Sequence, residues 1–506
     1  MDIFETKGKP GAGGGAEKTP RPVTAAAAKE VFAGCYDFET RVIRIGGSEG
    51  GTMATLCFID GLVSGATVAQ EVIRPLTDKW RFGEVRTTAG VIKMMMCGLT
   101  YSYTAKERTD MGDVESDLMN GFCAIIFDSV KKAVTFEVKS PDKRSIDAPK
   151  EEKVIKGSKD AFIEILKTNS TLVRRKLHDT HLKFKEVIVG TKTQTQAVIV
   201  YLEGFTNQEI VDEAEKRLRA IDVSGVLNTA AIEDGMVDNP RTPFPQFITT
   251  ERPDKFCMNL LEGRVGILVD GLPVGFLAPG TFGQFFKVPE DCADHFVVAT
   301  LLTALRYAAL LLTLFLPAFY VAVAMYHQEM LPTKLIQSVI EVKQSVPFPT
   351  GFEVLAMLIS FELLQEAGMR MSNAIGETIS IIGALIVGQS AVEAKVVSQI
   401  VVVVVALAGI AGYTVPNQDM SNALRICRFF LVLAAVGMGL FGLVIGGILI
   451  LGHLCALETF GVSYMTPFAG ARGAHAFSAI VRKPMAHKGM AEPALKTGEK
   501  QETKKA

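Results

Sequence analysis

Beyond Asp294 the chain carries four runs almost without charge, and any fold it adopts must keep them out of water. Phe296 to Gln328 has one charged residue, Arg306; Thr378 to Val392 and Val396 to Gln418 have none; Phe429 to Leu457 has only the polar His453. A helix crosses hydrocarbon in about 20 residues, or about 17 at the short end. Three of the runs reach that length, and the Thr378 run reaches it when Ala374 to Gly376 is added. Four spans are therefore expected. A further helix, Phe352 to Arg370, is apolar on one side but carries Glu353, Glu362, Glu366 and Arg370. Such a helix lies at the interface, re-enters, or packs inside an assembly. The whole chain agrees, with 48% hydrophobic residues and a mean hydropathy of +0.27.

Basic residues near span ends set the direction of insertion. Arg472, Arg482, Lys483 and Lys488 lie beyond the last run, with no acid between Thr459 and Glu492, which assigns that end to the cytoplasm. Four spans return the amino-terminal half to the same side. Met1 to Lys29, rich in Gly, Ala, Pro and Lys, has no signal-peptide core and reads as a flexible tail.

Before Asp294 the pattern is that of a mixed soluble fold. Thr55 to Ile59, Gly121 to Phe127, Ala133 to Val138, Gln196 to Leu202 and Arg264 to Val269 read as strands. Asn207 to Ile221 reads as a helix, capped by Asn207, with Ile210, Val211, Ala214 and Leu218 on one face. Strands interleaved with helices predict an α/β or α+β region, split into two subdomains by the charged stretch Lys139 to Lys159. The expected organisation is a tail over 1–30, cytoplasmic subdomains over 31–145 and 146–293, a transmembrane helical domain over 294–470, and a basic cytoplasmic tail over 471–506.

No enzyme signature stands out. GxxxxGK[ST], HExxH and a strand-to-helix GxGxxG are all missing, and no catalytic, cofactor-binding or metal-binding residue is assigned. The eight cysteines lack CxxC spacing and read as core thiols of a reducing compartment. With 53 basic against 54 acidic residues, nothing advertises nucleic acid. Gly46 to Gly51 reads as a loop, and Met94 to Met96 as core packing. Asp60-Gly61 and Asp270-Gly271 read as tight turns closing strands, and Pro240 to Lys255 as a rigid charged loop or a subunit contact.

In the apolar half, Gly376, Ser380, Gly383 and Val387 recur at helical spacing and leave a smooth stripe. The stripe either admits a neighbouring helix or lines a narrow pore among several copies. Gly442 and Gly446 form GxxxG, a helix-packing pattern. Glu362 and Glu366 share a helix face and demand either a water-filled vestibule or a charged partner at an interface, such as Arg370. Arg306 also needs a partner unless its span starts later.

Pro347-Phe348-Pro349, Phe361-Glu362-Leu363-Leu364-Gln365-Glu366-Ala367-Gly368, Gly388-Gln389-Ser390-Ala391-Val392, Val415-Pro416-Asn417 and Phe460-Gly461-Val462-Ser463-Tyr464-Met465-Thr466-Pro467 resemble the A subunit of spore germination receptors of the GerA family. So do Phe58-Ile59-Asp60-Gly61-Leu62, Leu172-Val173-Arg174-Arg175-Lys176, Glu203-Gly204 and Thr250-Glu251-Arg252-Pro253-Asp254-Lys255, so that the resemblance runs from about Cys35 to about Gly470. It implies residence in the inner membrane of a spore, with the large domain facing the spore core. It also implies a transporter-like B subunit that holds the nutrient, a lipoprotein C subunit, and a homo-oligomeric ring conducting monovalent cations. Asp419 after Pro416-Asn417-Gln418 and the stretch Lys79 to Ser116 depart from the family pattern. They keep open a second reading, the A-like protein of the dipicolinic-acid channel operon.

Overall fold

The computed structural model describes residues 21–45, 51–78, 87–99, 104–139, 149, 152, 154, 156–370, 388–469, 479–482 and 495. Most of the amino-terminal tail, Gly46 to Gly50, most of Lys139 to Lys159 and most of the basic tail lie outside the described residues. The chain forms two compact units. The first comprises residues up to Ser145 together with Lys167–Glu186, and the second Ile146–Leu166 together with everything from Val187 onward.

The first unit is built on an antiparallel sheet of strands β1 (Phe38–Ile45), β2 (Thr52–Ile59), β3 (Ala105–Arg108), β4 (Phe122–Phe127) and β5 (Lys132–Glu137), ordered β1-β2-β4-β5-β3. Every residue of β4 is buried because helical layers cover both faces of the sheet. Side chains alternate across a strand. Cys123, Ile125 and Phe127 therefore pack with Val68, Val72, Leu76 and Met95, while Ala124 and Ile126 pack under α1 (Ala25–Val31) and α2 (Met111–Met119). Two-sided burial explains why the strand reads as an unbroken apolar run. Of the methionine run, Met95 is in the core, Met94 packs against it and Met96 is exposed. Helix α3 (Leu166–Lys176) carries Arg174, whose Nη2 meets Asp37 Oδ1 at 2.7 Å, while its guanidinium lies 4.4 Å from the Phe184 ring centre. Both partners of the ion pair are buried, so the Leu172 to Lys176 motif is structural.

The second sheet consists of β6 (Leu182–Val189), β7 (Thr195–Leu202), β8 (Ile248–Thr250), β9 (Val265–Val269) and β10 (Gly275–Ala278), ordered β6-β7-β9-β10-β8. The two sheets take their strands in the same order, and the likeness extends to sequence. Phe58-Ile59-Asp60-Gly61 closes β2 where Tyr201-Leu202-Glu203-Gly204 closes β7. Gly61 (φ +97°), Gly204 (φ +77°) and Gly271 (φ +84°) take the left-handed backbone that these turns require.

Helix α4 (Gln208–Ala220) forms as expected, with the Asn207 side chain accepting from Glu209 N–H at 3.1 Å and Ile210, Val211, Ala214 and Leu218 buried. Helices α5 (Ala230–Met236) and α6 (Pro253–Leu261) complete the layer, Pro253 opening α6 where its missing N–H costs nothing. Arg252 before it is 1% exposed and bonds Asp254 at 2.7 Å and the Ser158 carbonyl at 2.9 Å. The Thr250 to Lys255 segment is thus an internal clasp.

Among the described residues, five long helices follow in the second unit: α7 (Phe296–Tyr326), α8 (Thr333–Gln344), α9 (Thr350–Arg370), α10 (Gln399–Tyr413) and α11 (Gln418–Ala456). Of the described helices, α7 and α11 are long and apolar enough to cross a membrane. Leu305, Leu311, Phe319, Val403, Leu407, Ile410, Phe441, Val444, Ile448 and Leu451 face outward, a surface that suits hydrocarbon and not water.

The last apolar run, read from the sequence as one span over Phe429 to Leu457, is instead folded back on itself. Gly439 has φ +60° and ψ −140°, a conformation open to glycine, and there α11 breaks. Gly446 then lies against Leu431, Phe430 and Ala434, whereas Ala434 and Gly446 would be about 18 Å apart along a straight helix.

Candidate functional site

The bundle's two ends are fixed by named contacts. At one end, Arg306 binds Asp291 through both guanidinium nitrogens, at 2.7 and 2.9 Å, and donates to the Phe286 carbonyl at 3.2 Å. From Tyr307 to Tyr326 the helix then rises about 30 Å, the thickness of a hydrocarbon layer. Enough helix follows Arg306 to cross a hydrocarbon layer without it, and Asp291 supplies the partner its charge requires. At the other end Tyr326 Oη donates to the Val436 carbonyl at 2.6 Å beside the Gly439 break, and Gly351, at the start of α9, abuts Val436 and Met325.

The returning arm of α11 comes back to the Arg306 end, where the His453 ring meets Thr242 Oγ1 at 2.8 Å. A small hairpin follows, β11 (Glu458–Thr459) with β12 (Val462–Ser463). At its tip Phe460 takes φ +51°, unusual for a residue with a side chain. It is held there from several sides. Its N–H donates to Asp238 at 2.9 Å, Arg217 lies 4.3 Å from the ring centre, and Phe247 meets it edge-on at 5.7 Å. Phe460 and Val462 belong to the core of the second sheet.

Between the two ends, charge sits inside the apolar bundle. Glu362 of α9 takes an ion pair from Arg428 of α11 and a second from Arg425 at 3.5 Å. Arg428 is 2% exposed, and its Nε has no partner among the described residues. Glu366, one turn further, is also engaged. The partners of Glu362 are therefore on α11, while the side chain of Arg370 lies outside the described residues. The sequence signal was present but fell at a boundary: Arg428 immediately precedes the charge-free run from Phe429.

Gly376, Ser380, Gly383 and Val387 also lie outside the described residues. Before that segment α9 ends at the Arg306 side of the bundle, and after it Gly388 abuts Val402, one turn into α10, at the Gly351 side. Gly442 and Gly446 face the outgoing arm of α11: a Cβ at Gly442 would strike the Ala434 carbonyl, and one at Gly446 would lie 2.7 Å from Leu431 Cδ2.

A model of the Bacillus/Clostridium GerA spore germination protein family matches residues 26–492. The chain belongs to the GerA family. Its relatives include the uncharacterized membrane protein YfkQ of Bacillus subtilis (strain 168), 36% identical over 455 residues, which cover 89% of this chain and 86% of YfkQ. Spore germination protein KA of the same organism is 34% identical over 456 residues, covering 90% of this chain and 83% of the relative. Spore germination protein B1, also from that strain, is 33% identical over 431 residues, covering 85% and 88%. Among solved structures, the N-terminal domain of the A subunit of the Bacillus megaterium spore germinant receptor GerK3 matches with 26% identity and a TM-score of 0.41, over 52% of this chain and 98% of that one. The resemblance carried by motifs such as Phe361 to Gly368 and Phe460 to Pro467 is borne out as family membership.

Within this GerA-family chain one carboxyl outside the bundle is poised to titrate. Burial, then Asp419 and Asp234, raise the Glu233 pKa from 4.5 to about 7. Below about pH 4.5 Glu233 is protonated folded or unfolded and contributes nothing to the pH dependence. As pH rises towards 7 the unfolded chain ionises while the folded one keeps its proton, so stability is progressively lost. Glu233→Gln should remove this loss, stabilising the protein by about 2 kcal/mol at pH 8 and by little at pH 4.5, as measured by thermal unfolding in detergent.

Proposed function

We propose that the chain is the A subunit of a nutrient germinant receptor in the spore inner membrane, and that as a homo-oligomer it forms a nutrient-gated path for monovalent cations that triggers germination. The observation that carries this reading is the Glu362, Arg425 and Arg428 group, since ionised side chains inside an apolar bundle are costly enough to mark ion pathways. Helix direction supports it further. By the contacts above, α7, α9, α10 and both arms of α11 each run between the two ends of the bundle. The reading keeps the mixed domain and the carboxyl-terminal tail on one side, the cytoplasmic or spore-core side, and the return of the last arm to a hairpin that packs in the second sheet's core supports it. The stripe Gly376, Ser380, Gly383 and Val387 is the candidate pore lining. A transporter-like B subunit and a lipoprotein C subunit complete the proposed receptor.

The second reading, an accessory or scaffolding subunit of the dipicolinic-acid channel operon, drew on Asp419 and on the stretch Lys79 to Ser116. Asn417 caps α11 by accepting from Met420 N–H at 2.9 Å, and Asp419 stands in the first helical turn, where an acid suits any helix start. That residue therefore no longer favours the second reading.

The test is cation release from spores carrying Val387→Ala or Ser380→Trp, with immunoblots for protein level and assembly. Leak without nutrient in the first and loss of release in the second are expected. Normal release from assembled variants of both kinds would remove the pore assignment.

A further inference from the structure

Helix α10 starts with a cap drawn from two helices. The Ser398 side chain accepts from Val401 N–H at 3.4 Å, the usual half of a capping box. The other half is an acid three residues into the same helix that accepts the cap residue's own N–H. Here that position is Val401, which cannot. Glu353 of α9 fills the role, its Oε2 accepting from Ser398 N–H at 2.7 Å. Glu353 is 1% exposed, and Oε1 has no partner among the described residues. Its surroundings are polar but sparse: Tyr320 of α7 lies within reach of Ser398, and the Lys343 ammonium of α8 bonds the hydroxyl of buried Thr350 one turn before Glu353.

We propose that Glu353 is a positioning residue that supplies the missing half of the α10 capping box from α9, and so ties together the two helices flanking 371–387. Separating α9 from α10 would break the bond between a backbone N–H and a buried carboxylate and leave both to be satisfied again at once. The contact is therefore made or broken as a unit. The cap does not depend on the channel reading above.

The test is hydrogen exchange of the purified full-length protein in detergent, read in peptides over 388–402, together with cation release from spores. Glu353→Ala should speed exchange in those peptides by about tenfold or more while the sheets keep their protection. Glu353→Gln keeps an acceptor and should remain near wild type. If Glu353→Ala does not accumulate, Ser398→Pro removes the same bond from the donor side, since its φ of −78° suits proline. Faster exchange over 388–402 is expected there too, with no further increase on adding Glu353→Gln. Unchanged exchange in the deletion variant, or Glu353→Gln as fast as Glu353→Ala, overturns the cap. Normal release in the Ser380 and Val387 variants alongside the expected exchange would sink the channel reading and leave the cap standing.

Discussion

Glu362→Ala should strip the protein from the membrane fraction, because it leaves Arg428, 2% exposed, without its counter-charge inside the bundle. Removing one member of a buried pair costs about 3–5 kcal/mol, a large part of the roughly 5–15 kcal/mol that holds a domain folded. Arg428→Met in the wild-type background should also destabilise, since it uncovers Glu362, though Arg425 at 3.5 Å remains to screen it. The double variant Glu362→Leu/Arg428→Met should recover much of the loss, because an apolar pair packs in the bundle without desolvation cost. Thermal unfolding in detergent of Glu362→Leu, Arg428→Met and the double variant, read as a double-mutant cycle, checks this. Additive losses in the two single variants would mean that the ion pair is not a thermodynamic unit.

The second large effect is expected at the break in α11. Gly439→Val forces a branched side chain into φ +60°, and Gly442→Val drives one into the Ala434 carbonyl of the facing arm. Neither clash can be relieved by a rotamer change, so both variants should lose the closed arms. Cys455 reports the outcome directly, being exposed near the end of the returning arm. In the intact protein an impermeant maleimide should reach Cys455 from the same side as the exposed Cys97. In the glycine variants that labelling should disappear, either because the arm no longer returns or because the protein is degraded. Labelling at wild-type levels would show that the arms close without these glycines.

Strands β2, β4, β5, β7 and β9 and helix α4 were legible in the sequence because local signals agree there: alternation or continuous β-branched runs, an Asn cap, and a clean apolar face. The edge strands β1 and β6 were not, since exposed Val42 and Ile188 blur their alternation and pairing with a neighbour decides their state. Hydropathy found α7 correctly but drew one passage through Gly439, because glycine in an apolar run looks like helix packing whether or not it also reverses the chain. The charged group at Glu362 was half visible. One partner was evident as a costly acid, but Arg425 and Arg428 come to it through tertiary packing, across a separation that no helical spacing encodes. The Glu353 cap was hidden for the same reason, as a capping box shared between helices leaves no motif in either.

The tip of the last hairpin bears on how the molecule is made. Phe460 and Val462 complete the interior of the second sheet, yet they leave the ribosome only after every apolar helix has been synthesised. The sheet's core thus has a gap throughout translation, filled when the final helical arm has turned back and delivered the hairpin. The return of that arm becomes a precondition for finishing the mixed domain. A chain whose last arm fails to return is left with an open apolar cleft, the kind of surface by which proteases recognise a protein to destroy.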